Sequence, residues 1–197
     1  MLPQTHAIIA DLIYEDVYQQ HQLKLNKLQL VYGSIKPDLY SGFPKLKHFK
    51  PQSFSVICQD IAHLSSFRTE DNKSSIARLS QKIGFVTHYV ADYFCVPHND
   101  RATYHKHIID HIVYENKLHQ LYKDTLPVKP KLMVSQGIDF GNIEMVMNYL
   151  DDLHEVYQAR NESFLNDLNS SMQASRSVAS MIVRQAVSSD KIITVAA

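Results

Sequence analysis

The 197-residue sequence predicts an all-α fold, a bundle of six or seven helices forming one domain over residues 1–197. Two observations carry this. Apolar residues return every three or four positions through long stretches, and convincing strand alternation is absent except weakly at the C-terminal end. Breakers also gather between the periodic stretches, with Gly33, Pro37, Gly42, Pro44 and Pro51 falling in one segment.

Thr5 is the candidate cap of a first helix over 6–20, where Ile8, Ile9, Leu12, Ile13 and Val17 share a face. A shorter helix is predicted over 22–32. Residues 33–52 then read as a long loop holding Asp38 and His48, and long loops in compact domains are often functional. Ser53 is the candidate cap of a helix to Phe67. Further helices are predicted over 74–95 and 101–123, the latter starting at Asn99 or Asp100. Residues 125–140 read as a connector. Asn142 caps a helix to 160, and 162–188 forms the last, with Met145, Leu150, Leu153, Val156, Phe164, Leu168, Met172, Met181 and Ile182 near helical spacing as packing residues. The tail DKIITVAA is ambiguous.

Twenty basic residues balance twenty acidic ones, so bulk charge points to neither a nucleic-acid partner nor an anionic membrane. With 45% hydrophobic and 20% charged residues the composition is that of a globular protein. The two cysteines, Cys58 and Cys95, give no disulfide framework and read as core thiols. The N-terminus has no signal-peptide pattern and no run of 18 apolar residues occurs, so a cytoplasmic chain without a transmembrane segment is expected.

The chemistry concentrates in residues 84–115. His88 and Asp92 are four apart, as are His111 and Glu115, so each pair shares a helix face and aims a nitrogen and an oxygen at one spot. His98 lies between them, just after Pro97, where a helix must stop or bend. Eleven His and twenty acidic residues give about one such pair by chance, so the arrangement matters more than the spacing. Imidazole nitrogen and carboxylate oxygen together suit zinc, and a carboxylate such as Asp92 has two oxygens with which to bridge ions. His105 or His107 could replace His111. His63 reads as a packed or surface residue, and His21, His119 and His154 as solvent-facing. Gly84 suits close helix approach.

The ordered string of HAIIADL, GSIKPD, the His of KLKHF, GFVTHYVADYFCVPH and HIVYE resembles the zinc-dependent phospholipase C family, whose relatives include the single-strand-specific zinc nucleases. It covers residues 6 to about 115. The closing His-x3-Glu is that of the lipase-like branch; the nuclease branch usually has His-x3-Asp. The resemblance implies a phosphodiesterase with two or three Zn²⁺ ions. Asp38, His48, His88 and Asp92 would hold one ion, His98, His111 and Glu115 a second, and His6 with a bridging Asp92 a third. In secreted members a processed N-terminal Trp completes the third site; this chain has Met1 and no Trp, and departs there. Asp38 is also the candidate base that orients the attacking water. Tyr40, Phe43 and Phe49 are candidate pocket walls, but Leu39 follows Asp38 where an aromatic would favour choline, so a choline preference is not implied.

The expected substrate is a phosphodiester such as a phospholipid headgroup, and not nucleic acid. A nuclease-like phosphodiesterase and a metal-stabilised structural or interaction protein without turnover are the competing readings.

Overall fold

The computed structural model describes residues 1–39, 46–67, 73–99, 108–125, 132 and 137–194, with side chains to 187. Eight helices lie among the described residues: α1 (Pro3–His21), α2 (Lys27–Leu39), α3 (Lys50–Ser65), α4 (Lys73–Tyr93), α5 (Val96–Asn99), α6 (Ile108–Thr125), α7 (Ile143–Gln158) and α8 (Phe164–Thr194). No strand occurs among them. The all-α prediction holds, with one helix more than expected because the break at Pro97 is itself the short α5. No helix among the described residues is long and apolar enough to cross a membrane.

Helix α1 starts earlier than predicted. Pro3 occupies the first turn, where its missing N–H costs nothing, and Leu2 is the cap residue. Thr5 is buried inside the helix and its hydroxyl meets His119 Nδ1 at 3.0 Å. Ser53 likewise does not cap α3, which begins at Lys50; its hydroxyl donates to the Phe49 carbonyl at 3.1 Å. Asn142 caps α7 as predicted, its side chain accepting from the amides of Glu144 and Met145. The last helix runs to Thr194, so the tail is helical as far as it is described. Residues 100–107, where a helix start was placed, and most of the 125–140 connector lie outside the described residues.

The largest departure is α2. Gly33 and Pro37 read as loop residues, yet both lie inside a helix that ends at Leu39. Tertiary packing overrides local propensity here. A Cβ on Gly33 would stand 2.0 Å from the Gln81 carbonyl oxygen, and one on Gly84 would stand 2.2 Å from that of Leu30. Helices α2 and α4 therefore touch backbone to backbone, and only glycine fits at either place. Gly84→Ala is expected to destabilise the fold by about 3 kcal/mol, the upper end for forced overpacking, as a urea titration would measure.

Ile9, Ile13 and Val17 of α1, Leu30 of α2, Ile57 and Ile61 of α3, and Leu79, Ile83 and Val90 of α4 bury together in one core. Helix α8 packs against α1, α3, α4, α6 and α7. Its buried face is largely Ala, Ser and Val, short side chains that let five neighbours approach. Leu150, Leu168, Met172, Met181 and Ile182 are core as predicted, whereas Met145 and Val156 are exposed on α7. Both cysteines are buried and unpaired to each other. Between α1 and α8, Asp16 and Arg176 form a buried two-pronged pair, with Nε to Oδ2 at 2.5 Å and Nη2 to Oδ1 at 3.2 Å.

Candidate metal centre

Segments from α1 through α6 bring the eight predicted residues to one place. His6 comes from the first turns of α1, Asp38 from the last turn of α2, and His48 from the stretch before α3. His88 and Asp92 lie on α4, His98 on α5, and His111 and Glu115 on α6. Three groups have donor atoms within 4.8 Å of one another: His6, His88 and Asp92; Asp38, His48 and His88; and His98, His111 and Glu115. Asp38 was expected in a loop; it is helical, and its place beside the others comes from the α2–α4 crossing.

Asp92 is the hub and is fully buried. Its Oδ1 lies 3.3 Å from His6 Nε2 and 3.6 Å from His98 Nε2. Its Oδ2 lies 2.7 Å from His48 Nδ1 and 3.5 Å from His88 Nε2. Asp38, with its side chain 18% exposed, stands 3.8 Å from both His48 and His88. Glu115 Oε1 lies 2.8 Å from His111 Nε2 and 3.1 Å from His98 Nε2.

Two imidazoles have their tautomers fixed by backbone. His88 donates Nδ1–H to the Ser34 carbonyl at 2.7 Å, and His98 donates Nδ1–H to the His48 carbonyl at 3.1 Å. Each therefore turns an Nε2 lone pair toward the carboxylates, as metal-binding histidines do when their other nitrogen is anchored. Burial holds His88 well below the ordinary histidine range and lowers His98 too, so both stay neutral. Burial would also lower His48, but its hydrogen bond to Asp92 and that carboxylate's charge raise it.

The carboxylates divide. Burial opposes ionisation of Asp92 and Glu115, yet the facing imidazoles and the Met1 ammonium outweigh it and hold both well below the usual range. For Asp38, burial and the charge of Asp92 outweigh His6 and push it up.

The donors fit a cation. His98 Nε2 and Glu115 Oε1 are two acceptors facing each other, and His6 Nε2 is buried with no hydrogen-bond partner. An orphan of that kind costs roughly 1–3 kcal/mol unless something positive meets it. The α-amino nitrogen of Met1 lies 2.7 Å from Asp92 Oδ1, 2.8 Å from His98 Nε2 and 3.0 Å from Glu115 Oε1. Burial disfavours its charge, but the two carboxylates push it up to about 12. It adds positive charge between Asp92 and the pair of His98 and Glu115. The resemblance points to an N-terminal residue at the third site, and the departure expected there from Met1 and the missing Trp does not extend to the position of the amine.

The second and third groups open on a cleft of about 940 Å³ lined by Asp38, His48, His98, His111 and Glu115, with Lys36 and Lys47 and apolar walls from Leu39, Leu46, Val56, Tyr89 and Ile108. Tyr40, Phe43, His105 and His107 lie outside the described residues, and Phe49 is the extended cap residue that precedes α3. Among the other described histidines only His63 is plainly exposed. His154, expected in solvent, is buried against Phe94 and Tyr157, with Nε2 3.1 Å from Asn99 Oδ1. His119 meets Thr5, and His21 Nε2 meets Ser180 Oγ at 2.8 Å.

The break that presents His98 is held from two sides. Asn99 donates its amide to the carbonyls of Tyr93 and Cys95, both at 2.9 Å. Asp167 of α8 accepts the Val96 N–H at 2.9 Å and the hydroxyls of Tyr114 and Tyr157 at 3.0 and 2.8 Å. Burial outweighs these donors and pushes Asp167 up to about 6 from 3.8. A raised carboxylate favours folding below its unfolded value, and that advantage is lost as pH rises through the folded one. Relative to Asp167→Asn, the wild type is expected to gain about 2 kcal/mol as pH falls from 7 to 4, read from paired urea titrations.

No curated protein and no solved structure gives a match to the chain. The family model for zinc-dependent phospholipase C matches residues 5–173, a span that contains all eight converging residues. The chain belongs to the zinc-dependent phospholipase C family.

Proposed function

We propose that the chain, as one domain over residues 1–197, hydrolyses a phosphodiester in the manner of a phospholipase C. The observation that carries this reading is the convergence of histidines and carboxylates from α1 through α6 around Asp92, at the floor of an open cleft. Asp38, His48, His88 and Asp92 would hold one zinc ion, His98, His111 and Glu115 a second, and His6 with Asp92 a third. When bound, zinc supplies a Lewis acid that polarises a phosphoryl oxygen and makes water nucleophilic at neutral pH.

The chain's own residues do the rest. Lys36 and Lys47 on the cleft wall offset the charge of an entering phosphate. His88 and His98 keep their lone pairs aimed because backbone carbonyls hold the opposite nitrogens. Asp38, at the cleft edge, orients the attacking water and accepts its proton as the new phosphorus–oxygen bond forms and the bond to the leaving oxygen breaks, and the leaving oxygen takes a proton from solvent to depart as the alcohol.

The test is zinc analysis of the purified chain together with hydrolysis of a soluble chromogenic phosphodiester, with and without chelator. Stoichiometric zinc and chelator-sensitive turnover are expected. Stoichiometric zinc without turnover on this ester, phospholipid vesicles or single-stranded DNA would make the chain a metal-stabilised binding protein. Preference for DNA over vesicles would make it nuclease-like.

A further inference from the structure

We infer that the first two turns of α6, with the apolar cleft rim beside them, dock on a phospholipid bilayer surface. This rests on the phospholipase reading above. Ile108 and Ile109 are 72% and 73% exposed, and Ile112 and Val113 are about half exposed. Ile108 and Ile112 are four apart, as are Ile109 and Val113, so they form two neighbouring rows. Those rows run beside the row that carries His111 and Glu115. Further along the same face the chain turns polar, with Asn116, Lys117 and Gln120. The exposed apolar surface is therefore confined to the end of α6 that meets the cleft.

It is also continuous with the cleft. Ile108 lines the cavity wall, together with the exposed Leu39 of α2 and Val56 of α3. Three helices thus place exposed aliphatic side chains around the mouth that leads to the candidate metal centre. A phospholipid carries its phosphodiester between a polar headgroup and tails that stay in the bilayer. To bring that ester to the cleft floor, the rim must meet the layer holding the tails, and branched aliphatic side chains at the rim match that layer. An apolar helical face seated at the headgroup boundary binds in proportion to the apolar area it buries. The chain has formal net charge +0, so this contact and not bulk attraction carries the binding.

The probe is sedimentation with vesicles of phosphatidylcholine containing a minority of phosphatidylglycerol, with the full chain loaded with zinc. The double variant Ile109→Glu with Val113→Glu changes residues that do not line the cleft. Its vesicle partitioning is expected to fall about tenfold or more, from the apolar area withdrawn from lipid. Its zinc content, helicity and turnover of the soluble ester should equal wild type. Leu28→Glu, at an apolar side chain 82% open on α2, should leave partitioning unchanged. Wild-type partitioning retained by the double variant, or a wild type that does not bind vesicles, overturns the inference. So does a wild-type dimer that the double variant dissociates without any change in lipid binding, which would make the occupant a second copy. Sedimentation needs no turnover, so a wild type that binds vesicles but hydrolyses no ester defeats the hydrolase reading and not the docking surface.

Discussion

Asp92→Asn is expected to strip zinc from the chain and lower phosphodiester hydrolysis by about 10²–10³-fold or more, the scale of losing a central charge-stabilising group. The side chain keeps its shape, so the effect isolates one negative charge and one acceptor oxygen. Both oxygens of Asp92 face imidazole nitrogens, Oδ1 toward His6 and His98 and Oδ2 toward His48 and His88. One substitution thus reaches all three donor groups. Metal analysis and the chromogenic assay check it together, with His63→Ala on the exposed side of α3 as the variant that should change neither. Full zinc content in Asp92→Asn would remove Asp92 from the centre and the proposed bridging with it.

The largest loss of stability is expected from Arg176→Met. Arg176 is among the largest fully buried side chains, and it grips Asp16 with two nitrogens. Removing one partner leaves a charge in a low-dielectric core, which costs roughly 3–5 kcal/mol. Urea titration of the two proteins reads this directly. Adding Asp16→Leu should recover part of the loss, since an apolar pair leaves no orphaned charge. Because Asp16 lies on α1 with His6, loosening this pair should also weaken zinc retention before the chain unfolds.

Much of the candidate centre is legible in the sequence because paired residue types at helical spacing are something a sequence displays. His88 with Asp92 and His111 with Glu115 need only the helical repeat, and His98 needs only the proline before it. Asp38 is legible as a residue but not in its helical setting. Gly33 and Pro37 carry a loop signature, and the helix persists there because α4 supplies a partner that only a glycine can approach. The burial of His154 was missed although its signal was present: Val146, Leu150 and Tyr157 are buried on the same face, so the period puts position 154 inside. The Ser34 and His48 carbonyls, which fix two imidazoles, have no sequence signature, since every residue has a carbonyl. Asp167 is read only after folding, because its partners lie on three other helices, α5, α6 and α7.

The corner between α4 and α5 has one further consequence. Two of its carbonyls are taken by Asn99 and one of its amides by Asp167. The His98 N–H donates to the Cys95 carbonyl at 3.0 Å. A chain segment tied at so many points has little freedom left to surrender when an ion arrives. Protection of the Val96 and His98 amides against deuterium should thus be nearly as strong in the zinc-free protein as in the loaded one, marking a cradle that is rigid before it is filled.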